Sequence, residues 1–342
     1  MPGKDLSVTG IRQVRGWALL VATVALALTA GCSNGGGAAN AGPPEKPVLN
    51  VAVVPAVDSA GFFVALYGGL FKAEGLNVTF TPATSSDSVI ADQVKGTYDI
   101  TGGNYVSYIQ AQGSGRANLD IFAEGSVMEP GTQGIYTMPD SKITSLAGLK
   151  GKTVAINAPK NILYLLAASM MTERGVDPHS VKFVNVPFPK MATELASGAI
   201  DAALLPEPFA SQAEESYGAI PLVDLNQGAT TSFPVAGYVV TKQWAAKYPR
   251  TLAAFYRALE EGQQAADTNR ADVEQAMEHL PVKPVPLAVS KETAAVMALD
   301  SYPVSSGPVG SVDLVRLERV VNVMHQFLDI GTFNVKSMLM NG

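Results

Sequence analysis

From Val48 onward, short aliphatic and β-branched runs alternate with stretches whose apolar positions recur every three or four residues, the pattern of parallel βαβ units. The spacing predicts strands at Val48–Val54, Val78–Pro82 and Tyr98–Thr101. Each is followed by a helix: Gly61–Ala73 stopped by Gly75, Asp87–Lys95 stopped by Gly96, and Asn104–Gln112. A glycine just past a helix supplies the left-handed residue its last turn needs. The layout repeats after residue 150. Strands are predicted at Thr153–Asn157, Val181–Val186 and Ile200–Leu205, and helices at Ile162–Arg174, Lys190–Ser197 and Pro208–Ser216. Gly96-Thr97-Tyr98-Asp99 in one half answers Gly198-Ala199-Ile200-Asp201 in the other, with the helix stops 21 residues apart in the first and 23 in the second. The fold class is α/β, read as two similar lobes; a single larger sheet would give a comparable periodicity.

Gly237–Val240 reads as a strand returning to the first lobe. Beyond it the chain is mostly helical, with a helix opened by Tyr248-Pro249 that runs to about Ala266 and another over Ser311–Leu328. Neither carries recognisable chemistry, and both read as structural cover.

The N-terminus has a different pattern. Lys4, Arg12 and Arg15 precede roughly a dozen apolar residues and a small-residue run that ends at Cys32, the build of a secretory signal. The apolar stretch is well short of the ~20 residues of a spanning helix. Cys32 is the only cysteine, and its surroundings resemble a bacterial lipobox, although Thr29 stands where leucine is more common. Residues 1–31 are therefore expected to be a lipoprotein signal peptide. Residues 32–47 are expected to be a lipidated Cys32 and a flexible Gly/Ala/Pro tether, so that the folded part sits outside the cytoplasm, anchored to the cell membrane. Losing Lys4, Asp5, Arg12 and Arg15 takes the formal charge from −6 to −8. That acidic balance argues against nucleic acid as a partner. With Cys32 lipidated no thiol is left for a disulfide, and about 310 residues can hold themselves together by their core.

Catalytic motifs fail on inspection. Gly151-Lys152-Thr153 ends like a phosphate-binding loop, but Leu146 stands where the first glycine belongs and a strand follows where a helix should. The G-x-S-x-G-like spacing around Cys32 lies in the cleavage region, with no strand-turn-helix around it. His179, His279 and His325 are isolated, so no metal site, cofactor or enzyme activity is expected. What remains are the carboxyl ends of the strands, where α/β proteins bind ligands. There the sequence places Ser59, Phe62, Phe63, Ser85, Ser86, Asn104 and Tyr105 in the first lobe, and Asn157, Lys160, Asn161, Phe188, Glu207 and Phe209 in the second. Each has an ordinary reading too: Ser85, Ser86 and Asn104 are good helix caps, Glu207 complements a helix dipole, and several aromatics, Tyr164 among them, suit a core.

Through Phe62–Leu76 (FFVALYGGLFKAEGL), Lys95–Asn104, Ile143–Asn157 and Ser197–Phe209, ending in Glu-Pro-Phe, the chain resembles the substrate-binding lipoproteins of ABC importers in the sulfonate, nitrate, taurine and thiamine-pyrimidine group. The resemblance implies a two-lobed fold of the periplasmic-binding-protein type II kind. Residues 48–128 plus 237–342 would form lobe I and 129–236 lobe II, with hinge crossings near Ala123–Tyr136 and Thr231–Val239. It implies that Phe62, Ser85, Asn104, Asn161 and Glu207 face the cleft. It further implies a monomer that closes on a small-molecule solute and passes it to a membrane permease driven by a separate ATPase subunit. The absence of arginine from the strand-end segments, with Glu207 and several rings there, points toward a neutral or cationic, nitrogenous or ring-containing solute. Two alternatives stand beside this: a solute sensor docking to a membrane receptor, and a pyrimidine-synthase-like enzyme, which lacks support because that family carries a cysteine-rich segment.

Overall fold

The structure, a computed structural model, describes residues 42–277, 279–280 and 309–340; the expected signal segment, Cys32 and most of the tether lie outside the described residues. The chain opens with β1 (Val48–Val53), α1 (Ala60–Tyr67), α2 (Leu70–Ala73), β2 (Asn77–Pro82), α3 (Ser86–Val94), β3 (Ile100–Asn104), α4 (Tyr105–Gly113) and β4 (Leu119–Val127). It then leaves for a second group: β5 (Gln133–Thr137), β6 (Thr153–Ile156), α5 (Ile162–Glu173), β7 (Lys182–Asn185), α6 (Phe188–Ala196), β8 (Ala202–Pro206), α7 (Phe209–Tyr217) and β9 (Ile220–Asp224). It comes back as β10 (Pro234–Thr241) and ends in α8 (Lys242–Lys247), α9 (Pro249–Thr268), α10 (Arg270–Met277) and α11 (Leu314–Phe327). The predicted helix Gly61–Ala73 is thus two pieces, because Gly69 sits at φ +80°, a left-handed conformation that ends one helix and starts the next.

There are two sheets rather than one, in the orders β2-β1-β3-β10-β4 and β7-β6-β8-β5-β9. In each, three parallel strands are followed by an antiparallel strand that has just arrived from the other lobe, β10 in the first sheet and β5 in the second. The matched tetrapeptides have a shared physical purpose. Asp99 accepts from the backbone N–H of Asn50 at 2.9 Å and pairs with Lys46, while Asp201 accepts from the N–H of Thr153 at 2.8 Å and pairs with Lys152 at 3.2 Å. Each aspartate pins the beginning of the first parallel strand of its own sheet.

The chain crosses between sheets through residues 128–132 and 225–233. The second crossing lies earlier than the expected Thr231–Val239, since the whole of Pro234–Thr241 already belongs to the first sheet. The crossings are bonded to each other, Met128 N–H to the Phe233 carbonyl at 2.8 Å. Helix α11 fastens the second: Arg319 donates to the carbonyls of Ala229, Thr231 and Ser232 at 2.8–2.9 Å and lies over the Phe233 ring at 5.2 Å. Arg316, one turn before it, reaches Glu124 of β4 at 2.8 Å.

The first lobe's core is aromatic. Phe62 is fully buried against Phe63, Phe71, Phe80 and Phe255, with centroids 5.4–6.5 Å away, and Phe71 stacks on Phe255 at 4.6 Å. Truncating such a ring typically costs about 3–5 kcal/mol. Helices α1 and α9 cross at Gly61 and Gly262. A Cβ on Gly262 would lie 2.6 Å from Ala65 Cβ and 2.9 Å from Ala65 N, and closer still to the Gly61 carbonyl oxygen. The entering chain is tied to the same helix, because the Glu45 carboxylate accepts from the free N–H groups of Arg250 and Thr251 at 3.0 and 2.8 Å. Burial opposes the charge on Glu45, yet these donors outweigh it and hold its pKa at about 2.

Candidate functional site

The carboxyl ends of the parallel strands of both sheets meet around one small cavity. From the first lobe come Val54 and Asp58 after β1, Ser86 at the head of α3 and Asn104 at the end of β3. From the second come Gln133 opening β5, Asn157 after β6, Asn161, Ile162 and Leu163 at the head of α5, Phe188 at the head of α6 and Pro206 ending β8. The space open to the centre of a water molecule is ≈ 20 Å³, against the ~10–15 Å³ one water requires, so the lobes are drawn close together. Among the described residues four hydrogen bonds cross the cleft: Gln133 Nε2 to Asp58 Oδ1 (3.3 Å), Asn157 Nδ2 to the Thr84 carbonyl (3.2 Å), Gln110 Nε2 to the Lys160 carbonyl (2.9 Å) and Val57 N–H to the Glu207 carbonyl (2.8 Å).

Helix starts shape the polar wall. Asn104 Oδ1 accepts from Ser107 N–H at 2.9 Å and Asn161 Oδ1 from Tyr164 N–H at 3.3 Å, so both asparagines cap a helix and border the cavity at once. Ser86 Oγ accepts from both the backbone N–H and the side-chain amide of Asn104, at 3.0 and 2.9 Å. Gly103 makes this possible, since a Cβ there would press on Ser86 Oγ and lie 2.8 Å from its Cβ. Asn157 and Asn161 are joined through Nδ2 of Asn161 and Oδ1 of Asn157 at 2.6 Å.

Of the residues named from sequence, Ser86, Asn104, Asn157, Asn161 and Phe188 border the cavity. Others lie elsewhere, for physical reasons. Phe62 and Phe63 point into the aromatic core, and Ser59 and Tyr105 are buried in the first lobe behind the lining. Ser85 turns to cap α3, accepting from Ser88 N–H at 3.2 Å. Phe209 is 2 % exposed and supports Phe188 from behind, stacked at 5.1 Å, while Tyr164 packs edge-on to Phe183. Lys160 is exposed, with φ +54°, and borders a separate, open hollow of ≈ 290 Å³ with Arg116, Asp329 and Phe333. That hollow is larger, but it adjoins the far end of α4 and the C-terminal segment, and none of the polar strand-end groups of the cleft reach it.

Glu207 is buried and folds back on its own helix, its carboxylate accepting from Ser211 N–H at 3.2 Å and Ser211 Oγ–H at 3.0 Å. Burial pushes its pKa up to about 7 despite those two donors, with Glu214 and Glu215 adding repulsion. The unfolded chain holds this proton only to about 4.5, so between pH 4.5 and 7 the folded form binds more protons and stability falls as pH rises. The shift corresponds to about 3 kcal/mol lost by pH 8. Glu207→Gln should therefore melt at a higher temperature than the parent at pH 8, and the gain should vanish or reverse at pH 5. Melting curves offset equally at both pH values would contradict this reading.

Asp58 and Gln133 are the polar cleft residues missing from the candidates named from sequence, and Val54, Ile162, Leu163 and Pro206 are the apolar ones. Burial pushes the Asp58 carboxyl up to about 6, against the pull of its own backbone N–H. Among the residues lining the cavity there is no lysine, arginine or histidine.

Comparison with known proteins places this geometry. The family model described as NMT1/THI5 like matches residues 56–272. A curated relative, the nitrate import ATP-binding protein NrtC of Synechocystis sp., is 24 % identical over 246 residues, which are 66 % of this chain and 36 % of that protein; the chain thus spans little more than a third of its length. Similar solved structures include the alkanesulfonate-binding protein SsuA of Xanthomonas axonopodis pv. citri bound to MOPS, at TM-score 0.68 and 15 % identity, covering 82 % of this chain and 93 % of that one. The ligand-binding component of an ABC-type import system from Staphylococcus aureus, with zinc bound, superposes at TM-score 0.71 with 12 % identity, covering 86 % and 97 %. The periplasmic nitrate-binding protein NrtA of Synechocystis PCC 6803 does so at TM-score 0.60 with 18 % identity, covering 69 % and 67 %.

Proposed function

This chain belongs to the NMT1/THI5-like family, and from that premise we propose that it is the extracytoplasmic, lipid-anchored solute-binding component of an ABC importer. In this reading it is a monomer and not an enzyme. It captures a small polar, nitrogenous solute between its lobes and delivers it to a membrane permease served by a separate ATPase. The observation that carries the reading is the convergence of strand-end polar groups from two lobes, joined by only two crossings, on one cavity. Such a hinge lets binding energy from both walls favour the closed state, which a permease can recognise. Relatives that bind an alkanesulfonate or import nitrate make the solute class a matter for experiment. The lining here offers carboxamides, a hydroxyl and a carboxylate in place of the guanidinium forks that oxyanions favour. Among the described residues no helix is long and apolar enough to cross a membrane, so attachment in this proposal rests on Cys32.

A thermal-shift screen of the chain against alkanesulfonates, nitrate, amines, nitrogen heterocycles and amino acids tests the binding role. A bound solute at a hundredfold excess over Kd should stabilise by about 2.7 kcal/mol. No shift with any small solute would sink it. Attachment is tested separately: the parent expressed in a lipoprotein-processing bacterium should incorporate labelled palmitate and Cys32→Ser should not, and a Cys32→Ser variant that still carries the label, or a parent that never does, would refute the anchor.

A further inference from the structure

Asp58 and Gln133 supply the acceptors of this cleft. Among the described residues Asp58 meets, apart from its own backbone N–H, a single donor, Gln133 Nε2 at 3.3 Å; Gln133, 2 % exposed, has no donor to its Oε1 and keeps a second N–H on Nε2. The other polar side chains of the lining offer donors. The side-chain amides of Asn104, Asn157 and Asn161 each give one N–H to a protein acceptor, namely Ser86 Oγ, the Thr84 carbonyl and Asn157 Oδ1. A carboxamide carries two such hydrogens, so each keeps one. Their oxygens are already engaged, by Ser107 N–H, Asn161 Nδ2 and Tyr164 N–H in turn. Ser86 Oγ accepts twice, which leaves its O–H as a donor.

We propose that Asp58 and Gln133 read a positively charged nitrogen, a small ammonium or amidinium group, while Asn104, Asn157 and Asn161 bind an acceptor at the other end of the same solute. The inference rests on the cleft being a solute site. Asp58 is half-buried, and a carboxylate partly withdrawn from water gains from an opposite charge, which no residue of the lining carries. The raised pKa of Asp58 reflects that burial and is reversed when a cation arrives. Ile162, Leu163 and Phe188 border the same space for a short apolar part, and since it holds little more than one water as the lobes stand, a solute of few atoms enters by a slight parting of the lobes.

The test is titration calorimetry on the full chain at neutral pH with ethanolamine, acetamidine, methanesulfonate and nitrate as probes. The ammonium or amidinium probe should bind, and the anions should not. Asp58→Asn should weaken the cation roughly 30-fold, the scale of a hydrogen bond to a charged group, and Gln133→Leu should weaken it by a smaller factor. Melting curves of both variants, close to the parent's, would show that the fold survives; if Asp58→Asn does not fold, Gln133→Leu alone decides. Cation binding unchanged within twofold in the folded variants overturns the assignment. Binding of the anions in place of the cations also overturns it while leaving the solute-binding role intact. Failure of all four probes, when another small solute shifts the melt, overturns the cation class alone; failure of every solute overturns both.

Discussion

Gly262→Leu is expected to destabilise the first lobe strongly. Glycine inside a helix costs roughly 1 kcal/mol relative to alanine, so its place in the middle of α9 needs a reason, and the crossing with α1 provides it. The atoms a side chain would meet are backbone and a Cβ, the Gly61 carbonyl and Ala65, which cannot swing aside as a lysine tip would. Overpacking of a core costs typically 1–3 kcal/mol, and a clash with backbone sits at or beyond the top of that range. Against a net stability of about 5–15 kcal/mol, such a loss is a fifth or more of the total. Urea denaturation should show a midpoint shifted far downward for Gly262→Leu and less for Gly262→Ala. A leucine variant that unfolds with the parent would mean that the two helices do not approach as described.

The second large effect is expected at Asn161, where stability and binding can be separated. Asn161→Leu removes the α5 cap, worth about 1 kcal/mol, and leaves Asn157 Oδ1 without its donor at a further cost of about 1–3 kcal/mol. Asn161→Ser keeps a capping oxygen but drops the carboxamide, both the N–H given to Asn157 and the one left for a solute, so it shares the cost at Asn157 and spares only the cap. Leucine should therefore lower both melting temperature and affinity, whereas serine should lower affinity at least tenfold with a smaller change in melting temperature. If the two variants lose affinity and stability in fixed proportion, Asn161 acts only through the fold.

Much of this architecture is written locally. The alternation of short apolar runs with periodic helices, and the paired tetrapeptides ending in Asp99 and Asp201, are legible because each feature concerns neighbours in sequence: a strand, a helix stop, an aspartate bonded to the start of an adjacent strand. The capping asparagines are legible for the same reason. The break at Gly69 was hidden because a glycine pair inside an apolar run reads as helix until one backbone angle is known.

The site was harder. Asp58, Ser59, Phe62 and Phe63 form one strand-end segment, and the choice of which side chains face the cleft depends on a single short turn, Val57–Ser59, that rotates α1. That turn puts Asp58 on the cavity and sends both phenylalanines into the core. Gln133 had no local signal at all. It reaches the cavity only because the first crossing places the start of β5 beside β8, a pairing between Gln133 and Pro206 that no nearby residue announces. Glu207 looked like a cleft acid, but Ser211, four residues on, holds its carboxylate back.

The position of β10 also governs the order in which the molecule can be assembled as the chain emerges N-terminus first. Every strand of the second sheet lies between Gln133 and Asp224, so that sheet can be completed from one continuous stretch of chain. The first sheet begins earlier but cannot close, because β4 has no strand partner until Pro234–Thr241 emerges and slots between it and β3. Nascent domains usually fold from the N-terminus onward; here the later-made lobe is the one that can finish first, while the earlier lobe waits with an open edge. The clamp on the second crossing comes later still, once Arg319 has been added.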